Sequence, residues 1–223
     1  MRNYMILGLI PLLMLGACSR SNLVRIRATL SGMEQGKAEQ QVAEDRATSG
    51  ATLSADRAKT DGMGLHLVAK GIMLGGSTLT TTFAGTTSTG STTLIQEKST
   101  LKTSFTEAGF VIGEDFTWGF GVGMASGGTM ETELTYGSSY GANAGTETLQ
   151  ADKVSGTSSF FMLGHHGSNF ETVFGLRWNS IKVHYKDWDP SLTNTLVQAQ
   201  TLEASPSTNL HTTQAVIGIG FVF

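Results

Sequence analysis

The chain has 223 residues, of which only 15% are charged and 28 are glycine, with three prolines, one cysteine and a formal charge of −3. Ordinary soluble domains carry about 25% charged residues, and the Lys and Arg side chains are scattered instead of forming the basic stripe that tracks a phosphate backbone. Nucleic acid is not expected as a partner, and a single cysteine allows neither an intrachain disulfide nor a multi-thiolate metal site.

Residues 1–17 read as a secretory signal peptide: Arg2 supplies the positive start and Tyr4 to Leu15 an apolar run of suitable length. Pro11 interrupts that run and Ser19, Arg20 and Ser21 follow it, so it falls short of the roughly 20 apolar residues of a spanning helix. Leu15-Gly16-Ala17-Cys18 resembles the lipobox of bacterial lipoproteins. The resemblance implies cleavage before Cys18 and acylation of that cysteine, and Ser19 after it resembles the pattern sorted to the outer membrane. The alternative is an ordinary signal peptide cut near a cysteine.

Residues 18–61 contain no large aromatic, and Glu34 to Asp45 is rich in Gln, Glu, Ala and Lys. They are expected to form a lipid-anchored periplasmic linker, with a weak helix over Glu34 to Arg46. Within it, Val24, Ile26, Ala28 and Leu30 alternate with Arg25, Arg27 and Thr29, which leaves a short strand open.

From 62 to 223 the composition turns to Gly, Thr, Ser and large apolar residues, with a period of two. Over Phe116 to Met124 every even position is apolar and every odd one is Thr or Gly. A soluble sandwich would place charges on its polar face; this segment has none, and nine residues match what a tilted strand needs to cross a bilayer. Strands are predicted at 62–74, 77–85, 91–106, 110–125, 128–137, 157–166, 169–186 and 210–223. Short turns are expected near 85–90, 125–128 and 166–169, and long outer loops at 137–156 and 186–209.

The last strand sets Ile217, Ile219 and Phe221 on one face and ends on Phe223, which resembles the signal by which outer-membrane β-barrels are recognised and inserted by their assembly machinery. The resemblance implies an all-β, eight-stranded antiparallel up-and-down transmembrane barrel over 62–223. Outer-membrane lipids and the barrel-assembly and lipoprotein-sorting machineries are the implied partners, and a monomer is expected.

Eight strands enclose a lumen filled by side chains. If Met130, Leu134 and Tyr136 face lipid, Glu131 and Glu133 point inward; Phe174, Leu176 and Trp178 facing lipid put Arg177 and Asn179 inside, where His66 and Lys70 join them. Buried charges need partners, so the reading is a polar core that holds the barrel. Tyr136, Tyr185 and Trp188 fall near strand ends, where amphipathic rings favour the membrane interface.

Candidate chemistry is sparse. Gly137-Ser138-Ser139-Tyr140-Gly141 has the nucleophile-elbow spacing without the strand-turn-helix it requires. His166-Gly167-Ser168-Asn169 resembles the His-x-Ser-Asn stretch of outer-membrane lipid A deacylases. That resemblance makes His166 the base and Ser168 the nucleophile, but Ser180 stands where the family has its acid, and Glu171 is nearer in sequence. His184, Asp187 and Asp189 cluster around Trp188 in what reads as a solvated loop. No cofactor or metal is expected. The expected role is a non-enzymatic structural or surface-interaction barrel; an envelope-lipid-modifying barrel and a lipid-anchored soluble β-protein are the alternatives.

Overall fold

A computed structural model describes residues 24–38, 52–55, 58–139, 144–151, 153–184 and 207–223. The signal-peptide segment 1–17 and Cys18 lie outside these residues. The strands are β1 (Val24–Ala38), β2 (Thr52–Ala55), β3 (Lys59–Ala69), β4 (Ile72–Thr89), β5 (Thr92–Ile112), β6 (Phe116–Tyr136), β7 (Gly145–Ala151), β8 (Lys153–His166), β9 (Phe170–His184) and β10 (Ser207–Val222).

Antiparallel pairing runs β1–β3–β4–β5–β6–β8–β9–β10 and returns from β10 to β1, so the sheet closes on itself. β2 continues the course of β3 along β4, and β7 that of β8 along β6, so ten strands build a wall of eight. Closure gives each of the eight wall strands a neighbour on both sides, while among the described residues Gly32–Ala38, β2 and β7 are paired along one edge only. At the lower end lie Val24, Val222 and the short connections 70–71, 113–115 and 167–169. The first is a two-residue hairpin turn with both φ values positive, 51° at Lys70 and 78° at Gly71, which matches the twist of the flanking strands. At the upper end are the turn at Gly90–Ser91 and the strand ends Ala38, Thr52, Tyr136, Gly145, His184 and Ser207.

Which face is apolar depends on height. In the lower half the outward positions are greasy, and the inward ones combine charged and hydroxyl side chains with a small apolar cluster. Phe116, Trp118, Val122 and Met124 on β6 point out, with Phe116 68% and Met124 70% exposed, while Thr117 between them is buried. The same outward band takes in Ile26 and Leu30, Leu65 and Leu67, Ile72 and Leu74, Phe110 and Ile112, Leu163, Phe174 and Trp178, and Ile217 and Ile219. Nine residues at about 3.4 Å rise and about 40° tilt span about 23 Å, close to the ~25 Å apolar band of outer-membrane barrels.

In the upper half the arrangement reverses. Leu79, Phe83, Ile95, Leu101, Phe105, Met130, Leu134 and Ile181 form a buried internal core, and Lys98, Lys102, Glu131, Glu133 and Lys182 face out. On β5 the residue types simply exchange faces. On β6 a bulge does it: Ser104 is opposite Gly127 and Phe105 opposite Ala125, so Ser126 has no register partner and the side-chain parity flips. Met124 is 70% exposed, and Met130, six residues on, 1%.

Several expectations are corrected here. Val24–Ala38 is a wall strand paired with both β10 and β3, so the barrel begins well before residue 62 and 18–61 is not a linker throughout. Glu34 to Ala38 is strand, not helix. The turn expected at 125–128 is the bulge inside β6, and the turn at Gly90–Ser91 lies at the upper end. The expected total of eight strands stands because one omitted strand offsets one strand cut in two.

Candidate functional site

The inward positions of the lower half carry charges, arranged in two layers. In the lower layer β1 contributes Arg27 and β9 contributes Glu171, both wholly buried. Arg27 Nε donates to Glu171 Oε2 at 2.7 Å and Nη2 to Oε1 at 2.6 Å, a two-point fork. Thr117 on β6 donates to Glu171 Oε1 at 2.6 Å and accepts from Arg27 Nη2 at 3.0 Å. Arg25 Nη1 stands 3.7 Å from the same carboxylate, so two guanidinium groups share one acid. Gly164 makes the space: a Cβ there would run into Thr117 Oγ1 and the Glu171 carboxylate.

The upper layer centres on Glu107 of β5. His66 Nε2 of β3 lies 2.5 Å from Oε2, and Ser77 of β4 donates to Oε1 at 2.6 Å. Arg177 crosses the lumen from β9 to Glu107 Oε1 at 2.9 Å and Oε2 at 3.1 Å, and also donates to Ser77 Oγ. Its guanidinium carbon stands 5.8 Å from the Phe160 ring centroid. Beside this layer, Asn179 Nδ2 donates to Thr212 Oγ1 at 2.9 Å. Val68, Met73, Val111, Phe160, Met162, Val173 and Val216 form a second buried apolar cluster inside the lower half.

Arg27, Glu171, His66, Glu107 and Arg177 are each at most 2% exposed. The layers therefore join strands across the ring and fill the lumen at their own heights. Their hydroxyls, Thr117 and Ser77, donate to the carboxylates. Taking a buried pair apart is costly because the survivor is an uncompensated charge, so this arrangement can hold the wall in register.

No model of a known protein family matches the chain, and no curated protein sequence does. Solved structures do resemble it. The outer membrane protease OmpT of Escherichia coli is 10% identical with a TM-score of 0.49, covering 91% of this chain and 97% of its own. Ail, the attachment invasion locus protein of Yersinia pestis, is 11% identical at 0.43, covering 91% and 99%. The outer membrane protein OprG of Pseudomonas aeruginosa is 13% identical at 0.39, covering 92% and 97%. The barrel assignment itself rests on the closed strand pairing.

Of the residues singled out from sequence, Arg177 and His66 lie in the upper ionic layer. Glu131 and Glu133 do not: the Ser126 bulge turns them outward and buries Met130, Leu134 and Tyr136. Lys70 is also outside the lumen, exposed in the lower hairpin turn. Ile217, Ile219, Phe221 and Phe223 face outward. His166 and Glu171 are cross-strand neighbours on β8 and β9, yet Glu171 is committed to the arginines and Thr117, His166 Nε2 has no hydrogen-bond partner, and Ser168 is exposed in the turn. No base–nucleophile pair is assembled. Asp187, Asp189, Trp188, Tyr185 and Tyr140 lie outside the described residues.

Arg25, Arg27 and Glu107 escaped sequence reasoning as lumen residues. For the arginines the signal was present: they alternate with Val24, Ile26 and Ala28 as lumen residues do with lipid-facing ones.

Two titratable groups in the upper half are displaced. Burial pushes the Glu97 carboxyl above the ordinary carboxylate range, with the Ser99 hydroxyl donating at 3.0 Å in partial offset. Desolvation and the neighbouring Lys182 and Lys153 ammonium groups lower the His184 imidazole.

Proposed function

We propose that this chain is an integral outer-membrane barrel with a plugged lumen, non-enzymatic, whose upper half stands clear of the hydrocarbon and presents a polar surface to envelope or external partners. The observation that carries this is the outward apolar band, about 23 Å tall, above which the wall turns polar outside and apolar inside. A water-soluble body would bury such a band. The secretory-type start supports export, and the lipobox-like Leu15–Cys18 supports acylation of Cys18. Five residues separate Cys18 from Val24, a reach of at most about 20 Å, so acyl chains there would enter the leaflet beside the lower end of the barrel.

The test is membrane association of a Cys18→Ala variant. It should stay in the outer-membrane fraction after carbonate washing and migrate faster on a gel unboiled than boiled. Release as a soluble protein would overturn the barrel reading and leave a lipid-anchored soluble β-protein. In planar bilayers the pure protein should give no steady conductance.

A further inference from the structure

The outward face above the apolar band is charged unevenly around the ring. On β5 and β6 cations are matched: Lys98 is directly opposite Glu133, and Lys102 is diagonal to Glu131 through the Thr100–Glu131 and Lys102–Thr129 pairs. On β8, β9 and β10 they are not. Lys153 is directly opposite His184, while Lys182 is opposite Ser155 on one side and Asn209 on the other. His211 is opposite Ser180, and register brings Lys37 of β1 across from His211. Diagonal neighbours in such a ladder lie about 7–8 Å apart, so Lys153, Lys182 and His211 share one patch. Among the described residues, no carboxylate takes an outward position on β8, β9 or β10.

Height matters as much as charge. Trp178 is the last apolar outward residue of β9, and Lys182 comes four residues later, about 10 Å further along the axis. Ordinary headgroups occupy about 5–8 Å on each side of the hydrocarbon, and lysine stems can bend back toward it. Ser155, Ser180 and Asn209 between the cations offer neutral hydrogen-bonding groups.

We infer that the outward patch formed by Lys153, Lys182 and His211 is a docking surface for the phosphate of a lipid headgroup in the leaflet around the upper rim of the band. The inference rests on the membrane-barrel reading above. The occupant follows from charge complementarity and continuity: an anion at this height, touching both the cations and the greasy wall below, is the phosphate of a lipid whose chains lie against Trp178 and Ile217. His184, whose imidazole is lowered by desolvation and by the two lysines, adds a hydrogen-bonding group beside them.

The experiment uses the full chain carrying Trp118→Phe and Trp188→Phe, so that Trp178 is the sole tryptophan, in phosphatidylcholine vesicles containing a minority of phosphatidic acid. Brominated acyl chains are placed on one lipid or the other, and quenching of Trp178 reports which lipid sits beside it. Phosphatidic acid should be preferred by about 30-fold, corresponding to about 1 kcal/mol for each lysine near the surface. Lys153→Gln/Lys182→Gln should remove most of that preference, while Lys98→Gln/Lys102→Gln, an equal change in net charge, should retain it. Equal loss in both double variants, or no preference in the parent, would overturn the patch. Free inorganic phosphate at matched ionic strength should not displace the lipid; displacement would show a phosphate site without a lipid role. Absence of quenching by either brominated lipid would instead overturn the membrane reading itself.

Discussion

Glu97 is 4% exposed on the inward face of β5, within the apolar upper core, and its Oε2 has no hydrogen-bond partner. Its carboxyl accepts a hydrogen bond from the Ser99 hydroxyl on the same strand. A carboxyl whose folded pKa is raised holds its proton longer than the unfolded chain does. Its stabilising contribution is therefore complete below the unfolded value near 4.5 and is lost as pH rises through the higher folded value. Glu97→Gln should remove this loss, raising stability at pH 7 by about 1 kcal/mol with little change at pH 4. Urea titrations of vesicle-inserted protein at the two pH values measure it, and a uniform effect at both would contradict the account. The ionic layers behave oppositely, because their charges are paired. Arg177→Met alone takes the guanidinium from Glu107, leaving it His66 and Ser77, and should cost about 3–5 kcal/mol, whereas Arg177→Met/Glu107→Met removes both charges of the pair and should recover most of it in the same assay.

At the scale of the strand, the bulge at Ser126 decides which residues of β6 meet solvent. Deleting Ser126 would restore continuous alternation from Phe116 onward. It would leave Glu131 and Glu133 outward and Met130, Leu134 and Tyr136 in the upper core, because Ala125 and Gly127 already pair with the adjacent Phe105 and Ser104 and only the unpaired residue between them is lost. The variant should still show a fast-migrating unboiled form, as should Ser126→Ala; its loss in the deletion alone would contradict this account of the bulge. This is also where sequence reading ran out. The alternation of Phe116–Met124 is local and visible, so the lipid-facing stretch of β6 and the inward place of Arg177 could be read. A bulge belongs to a pair of strands, Ser104–Phe105 against Ala125–Gly127, and one strand's periodicity cannot reveal it. β1 failed for another reason: beyond Leu30 its residues are those of a polar helix, and only pairing with β10 and β3 makes Glu34–Ala38 a strand. Glu107 was hidden in the Thr-rich stretch before it, where both faces are small and polar and the parity carries little signal.

Across the whole molecule, the barrel is two solvents' worth of protein stacked on one wall. On the proposed membrane reading the lower outside meets hydrocarbon, and the lumen there holds paired charges beside the apolar cluster around Phe160 and Met162; above, the outside meets water and the inside is an apolar core. The boundary between them makes a depth-dependent prediction. Val122 is 63% exposed within the band, and Val122→Arg should cost about 2–4 kcal/mol, the penalty for a cation facing lipid near the midplane. Thr100 also faces out but lies above the band, opposite Glu131; Thr100→Arg should cost nothing and could gain about 0.2–1 kcal/mol from the cross-strand charge pair. Both substitutions add the same charge to an outward wall position, so net charge and strand propensity cancel in the comparison and only the surrounding medium differs. Urea unfolding in phosphatidylcholine vesicles reads the difference directly. Equal costs at the two sites would mean that both heights meet the same solvent, and the membrane boundary drawn through Trp178, Met124 and Leu30 would have to go.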